Sequence, residues 1–101
     1  ALANRVRQMS WAYGELGVTA HLVAPGPADT DRLHGIARAR AEKEGVSFEV
    51  MLDRMRADSA IGAFTSVESV AWAIALLLDP RADAFAGSTM MLDAGRRHAI
   101  P

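Results

Sequence analysis

Residues 18–31, VTAHLVAPGPADTD, join a short apolar run to a Pro-Gly-Pro break and then to a threonine set between two aspartates. From 18 to 24 the run is apolar at both parities except at Thr19 and His21, the pattern of a strand covered on both faces in a parallel sheet. Pro25 supplies no backbone donor and fixes φ, so a central strand stops there. Gly26, without a side chain, lets a ligand come close to the backbone. Pro27 stiffens the exit, and Asp29, Thr30 or Asp31 can cap a following helix whose free first-turn N–H groups suit a carboxamide or phosphate oxygen. A strand that stops against a rigid turn and resumes as a helix is how α/β proteins present ligands at the carboxyl end of a sheet. A plain strand-to-helix loop has the same local sequence, so the turn alone leaves both readings open.

Working upstream, the apolar positions Leu2, Val6, Met9 and Tyr13 fall at helical spacings and predict one buried stripe, ended by Gly14 and Gly17. Trp11 widens that face and reads as packing rather than ligand stacking. The chain opens in this helical pattern without a cap, as a segment beginning inside a helix would. His21, alone within the predicted strand, reads as a hydrogen-bonded structural histidine before it reads as a catalytic one.

Downstream, residues 31–44 predict a polar helix with Leu33, Ile36 and Ala37 on its inner side, stopped by Gly45. Ser47 opens a second helix with Phe48, Met51, Leu52 and Met55 on one face, a stripe that reads as core first and as a mobile cover over an apolar substrate second. Between Asp31 and Asp58 six basic residues meet six acidic ones, which describes a solvated surface rather than an anion-binding patch. Thr65-Ser66-Val67-Glu68 has the form of a capping box. The helix it opens is apolar nearly all round through Leu78 and ends at Asp79-Pro80, so it needs cover on more than one side, more than a chain of 101 residues supplies by itself. Residues 81–86 read as a loop, Gly87 as a hinge, 88–92 as a second strand with Met90 and Met91 on opposite faces, and Asp93-Ala94-Gly95 as a turn. The tail from Arg96 to Pro101 reads as exposed. Strand, helical crossover and strand make a βαβ unit, and two strands with a few helices fit the end of a larger sheet better than an isolated domain.

Composition narrows the function classes. Half of the residues are hydrophobic and 23 % charged, which is globular. No apolar run approaches the ~20 residues of a membrane span. The net charge of −1 gives no basic footprint for nucleic acid. There is no cysteine, hence no disulfide and no thiolate metal site, and His21, His34 and His98 are too scattered for a local metal motif. A cysteine-free chain without a visible leader suits a reducing cytoplasm.

Three groups of residues carry a resemblance: Val23-Ala24-Pro25-Gly26-Pro27-Ala28-Asp29-Thr30; Ala60-Ile61-Gly62 ahead of Thr65-Ser66-Val67-Glu68-Ser69-Val70; and Ala86-Gly87-Ser88 leading into Leu92-Asp93-Ala94-Gly95. In this order they resemble the C-terminal part of a short-chain dehydrogenase/reductase. The resemblance implies an α/β fold, the C-terminal part of a Rossmann-like, doubly wound parallel sheet: helix, strand, two cover helices, crossover helix, strand. It treats residues 1–101 as a segment of one domain, with 31–58 as the variable substrate cover. It implies a nicotinamide cofactor, NAD or NADP, with Pro25 and Gly26 against the ring, the backbone of Pro27 and Ala28 at the carboxamide, and Thr30 offering its hydroxyl to the carboxamide or a phosphate. The helix from Thr65 and the last strand resemble elements that such proteins use for subunit contact, which implies a homo-oligomer or pairing with an N-terminal portion.

The family's glycine-rich turn, Asn-Ala-Gly segment, catalytic Ser and Tyr-x-x-x-Lys pair have no counterpart in these residues; Gly17 stands four after Tyr13, the only tyrosine. Aligned on the helix that ends at Gly14, the chain is expected to start just after that catalytic pair, so no catalytic residue and no metal ligand is assigned within it. His21 stands where the family commonly has Asn, Ala63 where it has Arg, and Ala94 where it has Gly. The expected role is therefore the C-terminal portion of an NAD(P)-dependent oxidoreductase acting on a small carbonyl or alcohol, inactive alone. A non-enzymatic interaction module built on a truncated fold of this kind is the alternative, and an independent small-molecule-binding domain a third.

Overall fold

The computed structural model describes residues 1–98; the end of the tail expected to be exposed, 99–101, lies outside the described residues. The elements in order are α1 (Leu2–Tyr13), β1 (Leu22–Pro25), α2 (Asp31–Glu44), α3 (Phe48–Arg56), α4 (Val67–Leu77) and β2 (Thr89–Leu92), with short 3-10 turns at Gly14–Leu16 and Pro80–Phe85. β1 and β2 pair in a two-stranded parallel sheet, giving the expected α/β class. The described residues form two compact units, Ala1–Ala24 with Glu68–Met91, and Pro25–Val67 with residues 92–98.

In the first unit the stripe predicted on α1 is buried only at Val6. Met9 and Tyr13 are exposed, and Trp11, expected to pack, is 83 % exposed. Helical periodicity states which face needs cover, and among the described residues that cover reaches a single position. Gly17 ends the following turn in the left-handed region, φ 78°. The strand expected from residue 18 begins only at Leu22 and is half-buried rather than covered on both faces. The preceding carbonyl, that of Ala20, is taken by the Gly87 N–H at 2.7 Å and by the Ser10 hydroxyl at 3.3 Å, which ties this segment to α1 and the Gly87 turn. The Leu22 N–H then donates to the Ser88 carbonyl at 3.1 Å, and pairing proceeds from there.

His21 departs from expectation as well. Both ring nitrogens are buried and neither has a hydrogen-bond partner among the described residues, while Leu77, Phe85 and Met90 share with it the lining of a cavity of about 180 Å³. α4 buries only Ala73; Trp72 is 65 % and Leu78 82 % exposed, so its apolar surface faces outward as well as inward. The loop expected after it is a 3-10 helix, because Asp79 caps it by accepting from the Arg81 N–H at 2.8 Å and Pro80 fits its first position.

The second unit holds the larger core. The Thr30 side chain caps α2 and Ser47 caps α3, while Gly45, φ 69°, closes α2 in the left-handed region. Leu33, Ala37 and Ala41 pack on Met51, Leu52 and Met55, with Val46, Phe48 and Phe64 at the edge. The methionine stripe is thus core. The buried row on α2 runs at steps of four, and its two alanines let α3 come close. Ile36, expected on the inner side, lies about 100° off that row and is exposed. Truncating a residue of this core, such as Leu52, to Ala removes about 2–5 kcal/mol.

The helix expected from Thr65 begins at Val67. Thr65 itself is buried, in a parallel bridge with Ala28, its N–H donating to the Pro27 carbonyl and its hydroxyl to the Leu92 carbonyl. No helix of the described residues is long and apolar enough to cross a membrane.

Candidate functional site

The turn from Pro25 to Thr30 is held by the chain's own backbone. The Gly26 N–H donates to the Leu92 carbonyl at 3.0 Å, the Thr65 N–H to the Pro27 carbonyl at 3.0 Å, and the Asp29 N–H to the Thr65 carbonyl at 3.3 Å. In a parallel bridge the flanking peptides bond across, so Ala28 turns its own N–H and C=O away from Thr65. Its carbonyl accepts the Thr30 hydroxyl at 3.3 Å, and its N–H enters none of these bonds. A rigid backbone edge therefore presents one outward donor at Ala28.

Thr30 is the hub of the next step. Its hydroxyl hydrogen goes to Ala28, and its oxygen accepts from the Leu33 N–H at 3.3 Å, which leaves one lone pair to offer. Asp29 and Asp31 flank it, with Arg32 in the same first turn of α2, and Asp29 Oδ1 meets His34 Nε2 at 2.7 Å.

Gly26 has a reason that sequence reading did not find. A Cβ built there would stand 2.8 Å from the Cα of Asp93 and 3.3 Å from Thr65 Oγ1. The missing side chain makes room for the chain's own turn after β2. That turn is tied in three ways: Asp93 accepts from the Gly95 N–H at 3.1 Å and the Arg97 N–H at 3.2 Å, and the Ala94 carbonyl accepts from the Ala60 N–H at 3.0 Å. Ala94 sits at φ 55°, in the left-handed region, where the resembling family commonly has Gly. Arg96, expected exposed with the tail, is half-buried and reaches the Met55 carbonyl. The Asp-Ala-Gly pattern signals a turn; nothing in the sequence signals its partners.

Among the described residues no three His, Asp or Glu side chains gather as metal ligands. A cleft of about 400 Å³ beside α2 and α3 is edged by Arg40, Lys43, Arg54, Glu44 and Asp58, charges of both signs on exposed positions, and nothing in it converges on a ligand.

The family model described as Enoyl-(Acyl carrier protein) reductase matches residues 1–97. The chain belongs to the short-chain dehydrogenase/reductase family. Solved structures agree on the fold. A short-chain dehydrogenase family protein from Francisella tularensis superposes with TM-score 0.86 at 18 % identity over 94 % of this chain and 39 % of that one. YwfH, an NADPH-dependent reductase involved in bacilysin biosynthesis, gives TM-score 0.86 at 21 % identity, covering 98 % and 37 %. The L-sorbose reductase from Gluconobacter frateurii, complexed with NADPH and L-sorbose, gives TM-score 0.86 at 19 % identity, covering 98 % and 38 %. The chain thus spans about two fifths of the length of these short-chain dehydrogenase/reductase structures. No curated protein matches it.

Proposed function

We propose that this chain supplies the nicotinamide-side wall, the substrate cover and a subunit contact of an NAD(P)-dependent oxidoreductase that moves a hydride between the cofactor and a small carbonyl or alcohol. The observation that carries this reading is the Ala28–Thr65 bridge, which fixes a short backbone edge with the Ala28 N–H turned outward beside the remaining lone pair of Thr30. A primary carboxamide, with one acceptor oxygen and an NH2 donor, matches that donor and acceptor pair. Phosphate, an acceptor only, matches the Ala28 N–H but not the Thr30 lone pair. In this reading Pro25 and Gly26 lie against the ring, Pro27 and Ala28 meet the carboxamide, Thr30 accepts from it, and residues 31–58 cover the substrate. The bound cofactor supplies the hydride chemistry, while these residues supply orientation. The groups that move the proton lie outside residues 1–101, and the cysteine-free composition fits a reducing cytoplasm.

Two measurements test this. The 101-residue chain given NADH or NADPH and a panel of carbonyls should show no turnover; turnover would place the catalytic groups inside it. In a protein that unites this segment with a Tyr-x-x-x-Lys pair, Thr30→Ser should keep cofactor use and Thr30→Val should weaken it. Equal cofactor KM and kcat in both variants would remove Thr30 from the site.

The exposed Trp11, Trp72 and Leu78 favour a second reading, an interaction module that works by pairing its apolar surface with another copy or a longer relative. Analytical ultracentrifugation separates them: a well-folded monomer with no tendency to associate speaks against the module.

A further inference from the structure

The turn after β2 meets the Pro25–Thr30 turn and the segment that follows α3, all in the second unit. On one side Asp93 fills the space left by Gly26, and on the other the Ala94 carbonyl holds the Ala60 N–H at 3.0 Å. From the same turn Arg96 Nη1 donates to the Met55 carbonyl at 3.3 Å and Arg96 Nη2 to Asp58 Oδ2 at 3.3 Å. Met55 lies in the last turn of α3, whose carbonyls carry the negative end of the helix dipole, so a guanidinium is the favoured partner there. The Asp58 contact matters less, because that carboxylate is 66 % exposed and water screens it. The bond to Met55 is the stronger holdfast: Arg96 is only 28 % exposed at its side chain, and its charge-assisted bond ends on backbone, which a side-chain rotation does not release.

We propose that Arg96 is a positioning residue. It clamps the C-terminal end of α3 to the turn that packs on Gly26, and so holds the substrate cover in register with the wall beside the nicotinamide. The inference rests on the proposed function for its catalytic consequence but on the geometry alone for the clamp. A charged fork anchored at two points suits this role, and Lys, with a single donor head, reproduces it only in part.

The test uses Arg96→Met, which keeps the apolar stem, Arg96→Lys, and Arg97→Met as an exposed control. In the 101-residue chain, amide exchange of residues 52–57 should quicken about tenfold in Arg96→Met and less in Arg96→Lys, with Arg97→Met unchanged. Equal exchange in wild type and Arg96→Met would overturn the clamp. In a protein uniting the segment with its catalytic pair, Arg96→Met should raise the carbonyl KM about five- to tenfold with the cofactor KM within about twofold, and Arg96→Lys should recover part of the loss. A parallel rise of both KM values, or none, would overturn the positioning role. If the wild-type enzyme turns over no carbonyl with either cofactor, the functional reading fails while the exchange result still decides the clamp.

Discussion

Gly26 and Asp93 approach so closely that a Cβ on the glycine would stand 2.8 Å from the Cα of Asp93 and 3.0 Å from its Cβ. Backbone cannot swing aside as a flexible side chain does, so the contact sets a steric requirement within the second unit. Gly26→Ala should destabilise the chain by about 1–3 kcal/mol, read by urea denaturation. Unchanged stability would mean that the turn after β2 moves freely.

Thr65 should tolerate Ser and resist Val. The valine is nearly isosteric but leaves the Leu92 carbonyl without the hydroxyl that donates to it, at a cost of about 1–2 kcal/mol. Thr65→Ser keeps that donor. Comparable denaturation midpoints for the two variants would show that the bond carries no net stability.

Ala94 and Gly95 occupy the same region of backbone space, φ 55° and 75°, with opposite consequences for substitution. Ala94→Gly should stabilise by up to about 1 kcal/mol, since relief of the left-handed strain exceeds the entropy gained by the unfolded chain. Gly95→Ala should destabilise by about 2–4 kcal/mol, because the added Cβ falls on that of Ala60 as well as on a strained φ. Thermal melts of the two variants should therefore shift in opposite directions.

Asp79 gives the start of the 3-10 turn at Pro80–Phe85 a local pH dependence. The Arg81 side chain, bonded at 2.7 Å, and then the Arg81 backbone N–H, at 2.8 Å, hold its carboxyl below the usual aspartate range, and the same partner raises the Arg81 guanidinium. A depressed carboxyl contributes stability that is present above its unfolded pKa and lost as pH falls through the folded one. Protection of the Arg81 and Ala82 amides should therefore persist at neutral pH and fade only in acid. An NMR titration of the Asp79 carboxyl carbon should move back toward the ordinary value in Arg81→Ala; coincident midpoints would dismiss the pair.

What the sequence determined by itself is a set of stops and caps that close within a few residues. Thr30 and Ser47 cap their helices through N–H groups three positions on, Gly17 and Gly45 stop theirs by entering the left-handed region, and Asp79-Pro80 ends α4. The ordered motifs also carried the family and the α/β class, because patterns of this kind record the fold's punctuation. Only the tertiary structure decided where side chains went when their partners were remote. Thr65 has the sequence of a helix cap, yet its hydroxyl bonds a carbonyl 27 positions away. Arg96 reads as exposed tail and grips Met55, 41 positions back. His21 reads as hydrogen-bonded and finds no partner among the described residues, while Met9 and Tyr13 keep their helical spacing without cover. Spacing along a chain fixes what a residue can satisfy locally; which long-range contact outcompetes that local bond depends on the surfaces that folding brings together.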